Sequence, residues 1–318
     1  MMPRCVALTD GRLHFSHGPI DLIIQADGAM DAVNACHEQA WQRFETILSE
    51  LVSELPALRQ PVGDICMLNG AIARRMWDAC HPFRARYITP MAAVAGAVAQ
   101  EIIRCYEKPF VTRAAINNGG DIALHLSAGT SYCVGVCTDI DAATIQAVYG
   151  ADLDTGMRLT IEASMPVRGI ATSGWRGRSF SLGIADSVTV LAASAAQADA
   201  AATMIANTVN VDDARIKRQP ACTLKDDTDL GAIPVTVDVP PLDAEVVHEA
   251  LHYGLERARQ LQASGLIWSA ILVCQEQVVV AGRMADGVAE KGIAAAMPTE
   301  QRLNAMPASR KVRFPAML

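Results

Sequence analysis

The fold is decided by one stretch, residues 168–207, which reads RGIATSGWRGRSFSLGIADSVTVLAASAAQADAAATMIAN. Within it, Val188–Leu191 is a short run of apolar, mostly β-branched residues, which favours a buried strand. Ser194 precedes Gln197 by three residues, the spacing of a capping box, and this predicts a helix that begins at residue 195. The stretch therefore predicts a buried strand that leads directly into a capped helix.

Polar side chains occur on both sides of this strand. Asp199 and Thr203 lie four residues apart on the predicted helix, so their side chains emerge next to each other. Upstream, Thr172, Ser173 and Gly174 offer two hydroxyl groups and a small residue that lets a ligand approach the backbone. One carboxyl and three hydroxyl groups are therefore expected to meet where the strand leads into the helix.

Four motifs in a fixed order resemble the ApbE-like superfamily, whose members include FAD:protein FMN transferases. They are NNGGDI at 117–122, ATSG at 171–174, SVTVLA at 187–192 and ADAAAT at 198–203. The first is similar to the family's N-A-G-G-D-I flavin-site motif. On spacing alone, the two glycines between apolar runs indicate a plain hairpin turn, and the resemblance is what favours a ligand-binding turn.

The resemblance implies a flavin site and a magnesium site. The implied flavin-binding residues are Asn117, Asn118, Gly119, Gly120, Asp121, Thr172, Ser173 and Gly174. The implied Mg²⁺ ligands are Asp199, Thr203 and the carbonyl of Ala95, which aligns loosely with the Ala of the family's G-I-A-K-G segment. Mg²⁺ prefers such hard oxygen ligands. From the residues alone, Asp199 could equally be stabilised by the helix dipole, and Thr203 could bond its own helix.

The chain departs from the family between ATSG and SVTV. The transferases carry a longer segment there with H-I-I-D-P, whereas Trp175–Asp186 contains no histidine. Arg176 and Arg178 are candidate contacts for a phosphorylated or flavin-like ligand, and Trp175 could stack on a planar ring. No catalytic residue is assigned. Asp186 would act as a base only if burial raised its pKa, and nothing directs His81 or His125 to the site.

The predicted function is therefore binding of a flavin, FAD or FMN, or of a related phosphorylated cofactor, with Mg²⁺. Transfer of FMN is doubtful without the histidine. The alternatives are an enzyme that acts on a different phosphorylated cofactor precursor in the same pocket, or an active FAD:protein FMN transferase.

Composition bounds the partners and the compartment. The chain of 318 residues is 51% hydrophobic and carries a net charge of −7, which argues against a nucleic-acid partner. No apolar run reaches the roughly 18 residues of a membrane helix. We expect a small phosphorylated ligand, no membrane, and homo-oligomers as an open option. Charged residues near the start, among them Arg4 and Asp10, are atypical of a secretory signal, and nine scattered cysteines suit a reducing compartment. The cytoplasm is the expected location.

The pattern predicts an α+β fold with an ApbE-like, mainly antiparallel sheet flanked by helices. Short turns such as Asp10–Gly11 join the strands. The predicted helices span 30–55, 91–107, 195–209 and 242–262, and Thr89–Pro90 is expected to cap the second. Residues 61–90 are expected to be irregular. One domain is predicted over residues 1–297, followed by a surface tail over 298–318.

Two further groups of residues leave alternatives open. Arg74, Arg75, Arg84 and Arg86 form either a solvated face or an anion clamp. His248 and His252 lie four apart on a predicted helix, so they are either surface residues or a metal pair.

Overall fold

The computed structural model of the chain describes residues 2–136 and 157–282. The strands are β1 (Arg4–Ala7), β2 (Leu13–His17), β3 (Ile20–Gly28), β4 (Val111–Asn118), β5 (Asp121–Leu126), β6 (Ser131–Val136), β7 (Met157–Glu162), β8 (Gly169–Ser173), β9 (Ser187–Ala192), β10 (Lys217–Pro220), β11 (Pro234–Asp238), β12 (Ser269–Cys274) and β13 (Gln277–Ala281). The α-helices are α1 (Met30–Ser53), α2 (Leu55–Leu58), α3 (Ala71–Cys80), α4 (Val94–Ile103), α5 (Ala195–Ala206) and α6 (Ala244–Ala263).

One large antiparallel sheet organises the described residues. Its nine strands lie in the order β1-β2-β3-β4-β5-β8-β9-β12-β13, and every neighbouring pair is antiparallel. The strands β6 and β7 pair with each other as a separate ribbon, and so do β10 and β11. The predicted α+β class with a mainly antiparallel sheet is confirmed.

The helices cover one face of this sheet, and α5 lies at the centre of the core on that side. Almost every residue of α5 is buried, which is why the helix is built from alanine: small side chains let it pack closely on β8 and β9. The predicted cap is present, since Ser194 Oγ accepts a hydrogen bond from the amide of Gln197 at 3.4 Å. The helix ends at Ala206, three residues before the predicted end.

A smaller apolar cluster occupies the other face. It joins Leu124 of β5 and Ile170 of β8 to Leu159 and Ile161 of the β6–β7 ribbon. Because both faces are covered, the central strands β9 and β12 are buried along their whole length. The run Val188–Leu191 shows no alternation of buried and exposed positions because the strand is covered on both faces.

Two local predictions were wrong. Residues 61–90 contain the helix α3, whose buried positions Ile72, Ala73, Met76 and Cys80 follow helical spacing. Thr89 does not cap a long helix: Pro90–Ala93 form a 3₁₀ turn before α4, and the Thr89 hydroxyl donates instead to the carboxylate of Asp229.

The segment between α5 and α6 contains the ribbon of β10 and β11. No helix in residues 2–136 and 157–282 is long and apolar enough to cross a membrane. The proposed domain end at 297 and the tail 298–318 lie outside the described residues, so the division into a domain and a tail stays a prediction.

Candidate functional site

The glycine turn between β4 and β5 is the first part of the site. Asn117 Oδ1 accepts a hydrogen bond of 2.8 Å from the amide of Gly120. Gly119 and Gly120 adopt φ values of +66° and +111°, which residues with a Cβ rarely take. The turn is thus a tight hairpin, as spacing alone predicts, and it places Asn118 and Asp121 opposite each other at its base.

Asp121 connects this turn to β8. Its Oδ1 accepts a hydrogen bond of 3.3 Å from the amide of Thr172, and the side chain is buried. The hydroxyl of Thr172 lies 2.9 Å from that of Thr189, its partner across the strands in β9. Thr189 is a contact that the sequence analysis missed, although the register of two antiparallel strands would pair these threonines.

The helix α4 approaches α5 closely at the same place. The amide of Gly96 donates a hydrogen bond of 2.9 Å to Asp199 Oδ2. A Cβ on Gly96 would lie 2.3 Å from the carbonyl oxygen of Ala195, so only glycine permits this approach. Asn118 Nδ2 donates to the carbonyl of Ala95 at 3.1 Å. These bonds join the glycine turn, α4 and α5.

Two acidic side chains therefore meet in a protected environment. Burial raises the pKa of Asp199 to about 7, although hydrogen bonds from the amides of Gly96 and Ala95 act in the opposite direction. Burial and the negative charge of Asp199 raise the pKa of Asp121 well above its usual range. Like charges held close together do not both ionise readily, so near neutral pH the pair favours either a shared proton or a nearby cation.

The implied magnesium ligands do not all point to one place. Asp199 faces the amides of Ala95 and Gly96, whereas the Ala95 carbonyl accepts a hydrogen bond from Asn118 Nδ2 and, in a trans peptide, points away from the Gly96 N–H. Both offer hard oxygen atoms, and the carboxyl pair would be stabilised by a cation. Thr203 lies one turn further along α5 and is half-buried. The three residues therefore match Mg²⁺ in ligand chemistry, but the structure does not bring the Ala95 carbonyl and Asp199 to one point. No group of three or more His, Cys, Asp and Glu side chains suited to a metal occurs in the described parts of the chain.

The loop between β8 and β9 separates the two candidate arginines. Arg176 stacks over the ring of Trp175 at 5.1 Å and lies 3.6 Å from Asp186. Asp186 also accepts hydrogen bonds from Trp175 Nε1 and from the amide of Gln275. Arg178 instead lies on the glycine turn, because a Cβ on Gly119 would be 1.8 Å from its Nη2. The structure thus brings Arg178, not Arg176, to the predicted turn.

Ser173 and Gly174 complete the predicted residues. Ser173 is half-buried at the end of β8, where it pairs with Val188. Gly174 is buried, and a Cβ there would lie 2.1 Å from the carbonyl oxygen of Asp186. Its lack of a side chain thus allows the loop to pack, which is a structural reason for the glycine in ATSG.

The remaining candidates have other partners. His81 stacks on Trp77 at 4.3 Å, and His125 Nε2 lies 3.2 Å from the Val111 carbonyl oxygen. Arg75 and Arg84 pair with Glu101 and Asp64 respectively. These ion pairs favour structural and surface roles over an anion clamp, and His248 and His252 are exposed on α6.

Comparison with known proteins identifies the family of the chain. A family described as "AbpE bacteria" matches residues 5–285. The chain belongs to this family, and so to the ApbE-like superfamily.

Relatives with the name UPF0280 protein occur in methanogens. The protein of Methanopyrus kandleri is 34% identical over 210 residues, which cover 65% of this chain and 78% of that protein. The protein of Methanococcus maripaludis strain C7 is 41% identical over 121 residues, which cover 38% of this chain and 45% of that protein. The apo structure of flavinyl transferase ApbE from Pseudomonas stutzeri is similar over 88% of this chain and 95% of that chain, with 13% identity and a TM-score of 0.41.

Proposed function

We propose that this protein binds a flavin, FAD or FMN, or a related phosphorylated cofactor, between the β4–β5 turn, β8 and the α4–α5 contact. The observation that carries the proposal is that Asp121 and Asp199 join four separate segments, β5, β8, α4 and α5, through the amides of Thr172 and Gly96. Distant segments that converge on a few polar groups are typical of ligand sites. Membership of the ApbE-like superfamily supports a flavin as the ligand.

Mg²⁺ is part of the proposed binding site. Asp199, the Ala95 carbonyl and Thr203 would hold it, and it would supply positive charge for the phosphate groups of the ligand. Asp121 and Asp199 would gain from the same charge, since two adjacent buried carboxylates repel each other. Mg²⁺ and the phosphorylated ligand are therefore expected to strengthen each other's binding.

FMN transfer to a protein acceptor is expected to be weak. A positioned general base contributes typically 10²–10⁴-fold to rate. In the FAD:protein FMN transferases that this sequence resembles, the corresponding segment contains a histidine. Here that segment is Trp175–Asp186, which contains none. Asp121 and Asp199 already accept hydrogen bonds from backbone amides, which join the glycine turn to β8 and α4 to α5.

The test is a fluorescence titration of the purified protein with FAD and with FMN, in EDTA and then in Mg²⁺. Saturable binding that Mg²⁺ strengthens, and that Asp199→Ala weakens about tenfold or more, would support the proposal. Asp78→Ala, an exposed carboxylate on α3, is the matched control and is expected to bind like the wild type. Absence of saturable flavin binding to the wild type would contradict the proposal.

A second candidate is an enzyme that acts on a different phosphorylated cofactor precursor in the same pocket. The replacement of the histidine segment by the loop with Trp175 and Arg176 favours it, because a changed loop at a retained site is a common route to a new substrate. A third candidate is an active FAD:protein FMN transferase. It is tested by incubating a threonine-containing acceptor with the protein, FAD and Mg²⁺ and weighing the acceptor by mass spectrometry. Efficient addition of FMN would identify an active transferase.

For the setting of this function we propose the cytoplasm, a small-molecule partner rather than nucleic acid or membrane, and possible homo-oligomers. The net charge of −7 supports the exclusion of nucleic acid. Cell fractionation, and light scattering of the purified protein, test the location and the oligomeric state.

A further inference from the structure

We propose that Arg178 recognises the phosphate groups of the ligand, so that the site selects a phosphorylated ligand over its unphosphorylated form. Arg176 has no part in this selection and instead holds the loop in place. The inference rests on the proposed function for the location of the ligand. It goes further by naming the residue that decides which chemical form of the ligand is accepted.

The Arg178 guanidinium lies at the glycine turn. Its Nη2 lies where a Cβ of Gly119 would be, 1.8 Å from that position, so the guanidinium rests directly on the turn. Its positive charge is also close enough to Asp121 to oppose the rise in the pKa of that carboxyl. Arg178 thus places a cation beside both the glycine turn and the acidic pair.

The Arg178 guanidinium is available to a ligand. The Arg178 side chain is exposed, and no carboxylate in the described residues lies within the 4.0 Å of an ion pair with it. Arg176 differs in each respect that matters for binding. It pairs with Asp186 at 3.6 Å and stacks on Trp175, and Asp186 is itself held by the amide of Gln275. Two arginines that look equivalent in the sequence therefore have different roles.

The charge of the acidic pair affects which ligands the site can hold. The negative charge that the Asp121–Asp199 pair retains, even when it shares one proton, would repel a phosphate group, so a phosphorylated ligand needs a compensating cation. Arginine suits this need because its planar guanidinium can donate two parallel hydrogen bonds to phosphate oxygens. A ligand without phosphate gains nothing from Arg178, so the arginine acts as a selector and not as a general attachment point.

The experiment compares riboflavin with FMN, which differ only by the phosphate group. Dissociation constants for both are measured in EDTA, so that Mg²⁺ is not involved, for the wild type, Arg178→Gln and Arg176→Gln. Inorganic pyrophosphate is titrated in parallel as a probe that carries no flavin ring. We expect Arg178→Gln to reduce the preference for FMN over riboflavin about tenfold or more, with riboflavin binding unchanged. We expect Arg176→Gln to keep the wild-type preference.

The outcomes separate the two proposals. If the wild type binds FMN and Arg178→Gln leaves the FMN-to-riboflavin ratio unchanged, the inference is overturned and flavin binding stands. If the wild type binds pyrophosphate in an Arg178-dependent way but binds no flavin, the inference stands and flavin binding is overturned. If the wild type binds neither flavin nor pyrophosphate, both are overturned. An equal loss in Arg176→Gln would also overturn the distinction between the arginines.

Discussion

The amide of Gly96 donates a hydrogen bond of 2.9 Å to the carboxylate of Asp199, and this bond joins the first turn of α4 to the middle of α5. The bond requires the two helices to lie almost in backbone contact, which the missing side chain of Gly96 allows. The same glycine thus determines how closely the helices pack and where the acidic group of the site lies.

Gly96→Ala is expected to destabilise the fold. Alanine is favoured over glycine within a helix by about 1 kcal/mol, yet its Cβ would lie 2.3 Å from a backbone oxygen of Ala195, and such overpacking costs about 1–3 kcal/mol or more. We predict a net loss of about 2 kcal/mol in the free energy of unfolding, measured by urea denaturation. Gly63→Ala, at a position with nothing within 4 Å, is the control and should be nearly neutral. Wild-type stability in Gly96→Ala would contradict the close approach.

Asp199 should make stability depend on pH. Its folded pKa of about 7 lies above the ordinary value of 3.8, so between these two values the folded state holds a proton that the unfolded state has lost. The metal-free protein should therefore lose stability as the pH rises from about 4 to about 7. In Asp199→Asn, the decrease in the free energy of unfolding over this pH range should be smaller by on the order of 2 kcal/mol. This value is below the full effect of the pKa difference because the side chain is partly exposed to solvent.

Urea unfolding in EDTA at several pH values between 4 and 8 measures this effect. The amide of asparagine can still accept the Gly96 hydrogen bond, so the variant should fold normally. An Asp199→Asn variant whose stability falls with pH as steeply as that of the wild type would contradict the assignment of the raised pKa to Asp199.

Gly119→Ala should disturb Arg178, and Gly129→Ala provides a close comparison. Both glycines have positive φ, +66° and +79°, so both substitutions should cost about 1 kcal/mol of backbone strain. Only the Cβ at residue 119 meets Arg178, since nothing lies within 4 Å of the corresponding position at 129. We predict weaker FMN binding in Gly119→Ala alone, measured by flavin fluorescence. Equal FMN affinities in the two variants would contradict the contact between Gly119 and Arg178.

The cysteines should differ sharply in their reactivity. Cys36, Cys80, Cys105 and Cys274 are buried, and burial raises the pKa of each thiol, to about 12 in Cys274. Iodoacetamide must reach the sulfur and reacts with its thiolate form, so the four buried thiols should stay unmodified in the native protein while the exposed Cys5, Cys133 and Cys222 react, Cys5 more slowly because partial burial also raises its pKa. Peptide mass spectrometry before and after denaturation measures this. Rapid native labelling of Cys80 would show that the α3 packing is wrong.

The sequence predicts those parts of the fold whose signals are local. The strand β9 and the Ser194 cap follow from residues that are neighbours in the chain, and both are present. The helix α3 was missed because Arg74 and Arg75 interrupt an otherwise amphipathic pattern among nearby breakers. The cap at Thr89 failed for a different reason: its hydroxyl binds Asp229, a partner 140 residues away that no local pattern contains.

The candidate site shows the same limit. The glycine turn and the helix α5 with Asp199 are predicted from their motifs. How they lie relative to each other depends on the pairing of β5 with β8 and on the α4–α5 contact. Arg176 and Arg178 are equivalent by residue type and spacing. Only tertiary partners, Asp186 for one and Gly119 for the other, distinguish them. The pKa of Asp199 likewise depends on burial, which a sequence does not give.

The order of the nine strands has a consequence for how the chain folds during synthesis. Each strand of the large sheet pairs with one that has already left the ribosome, so the sheet can grow from β1 towards β13 without waiting for a distant edge. The loop of Trp175 and Arg176 depends on a later part of the chain. Its anchor Asp186 receives the amide of Gln275, which is made 89 residues later. A nascent chain that stops before β12 would therefore contain the glycine turn and the helix α5, but the loop would still lack the hydrogen bond from Gln275 to Asp186.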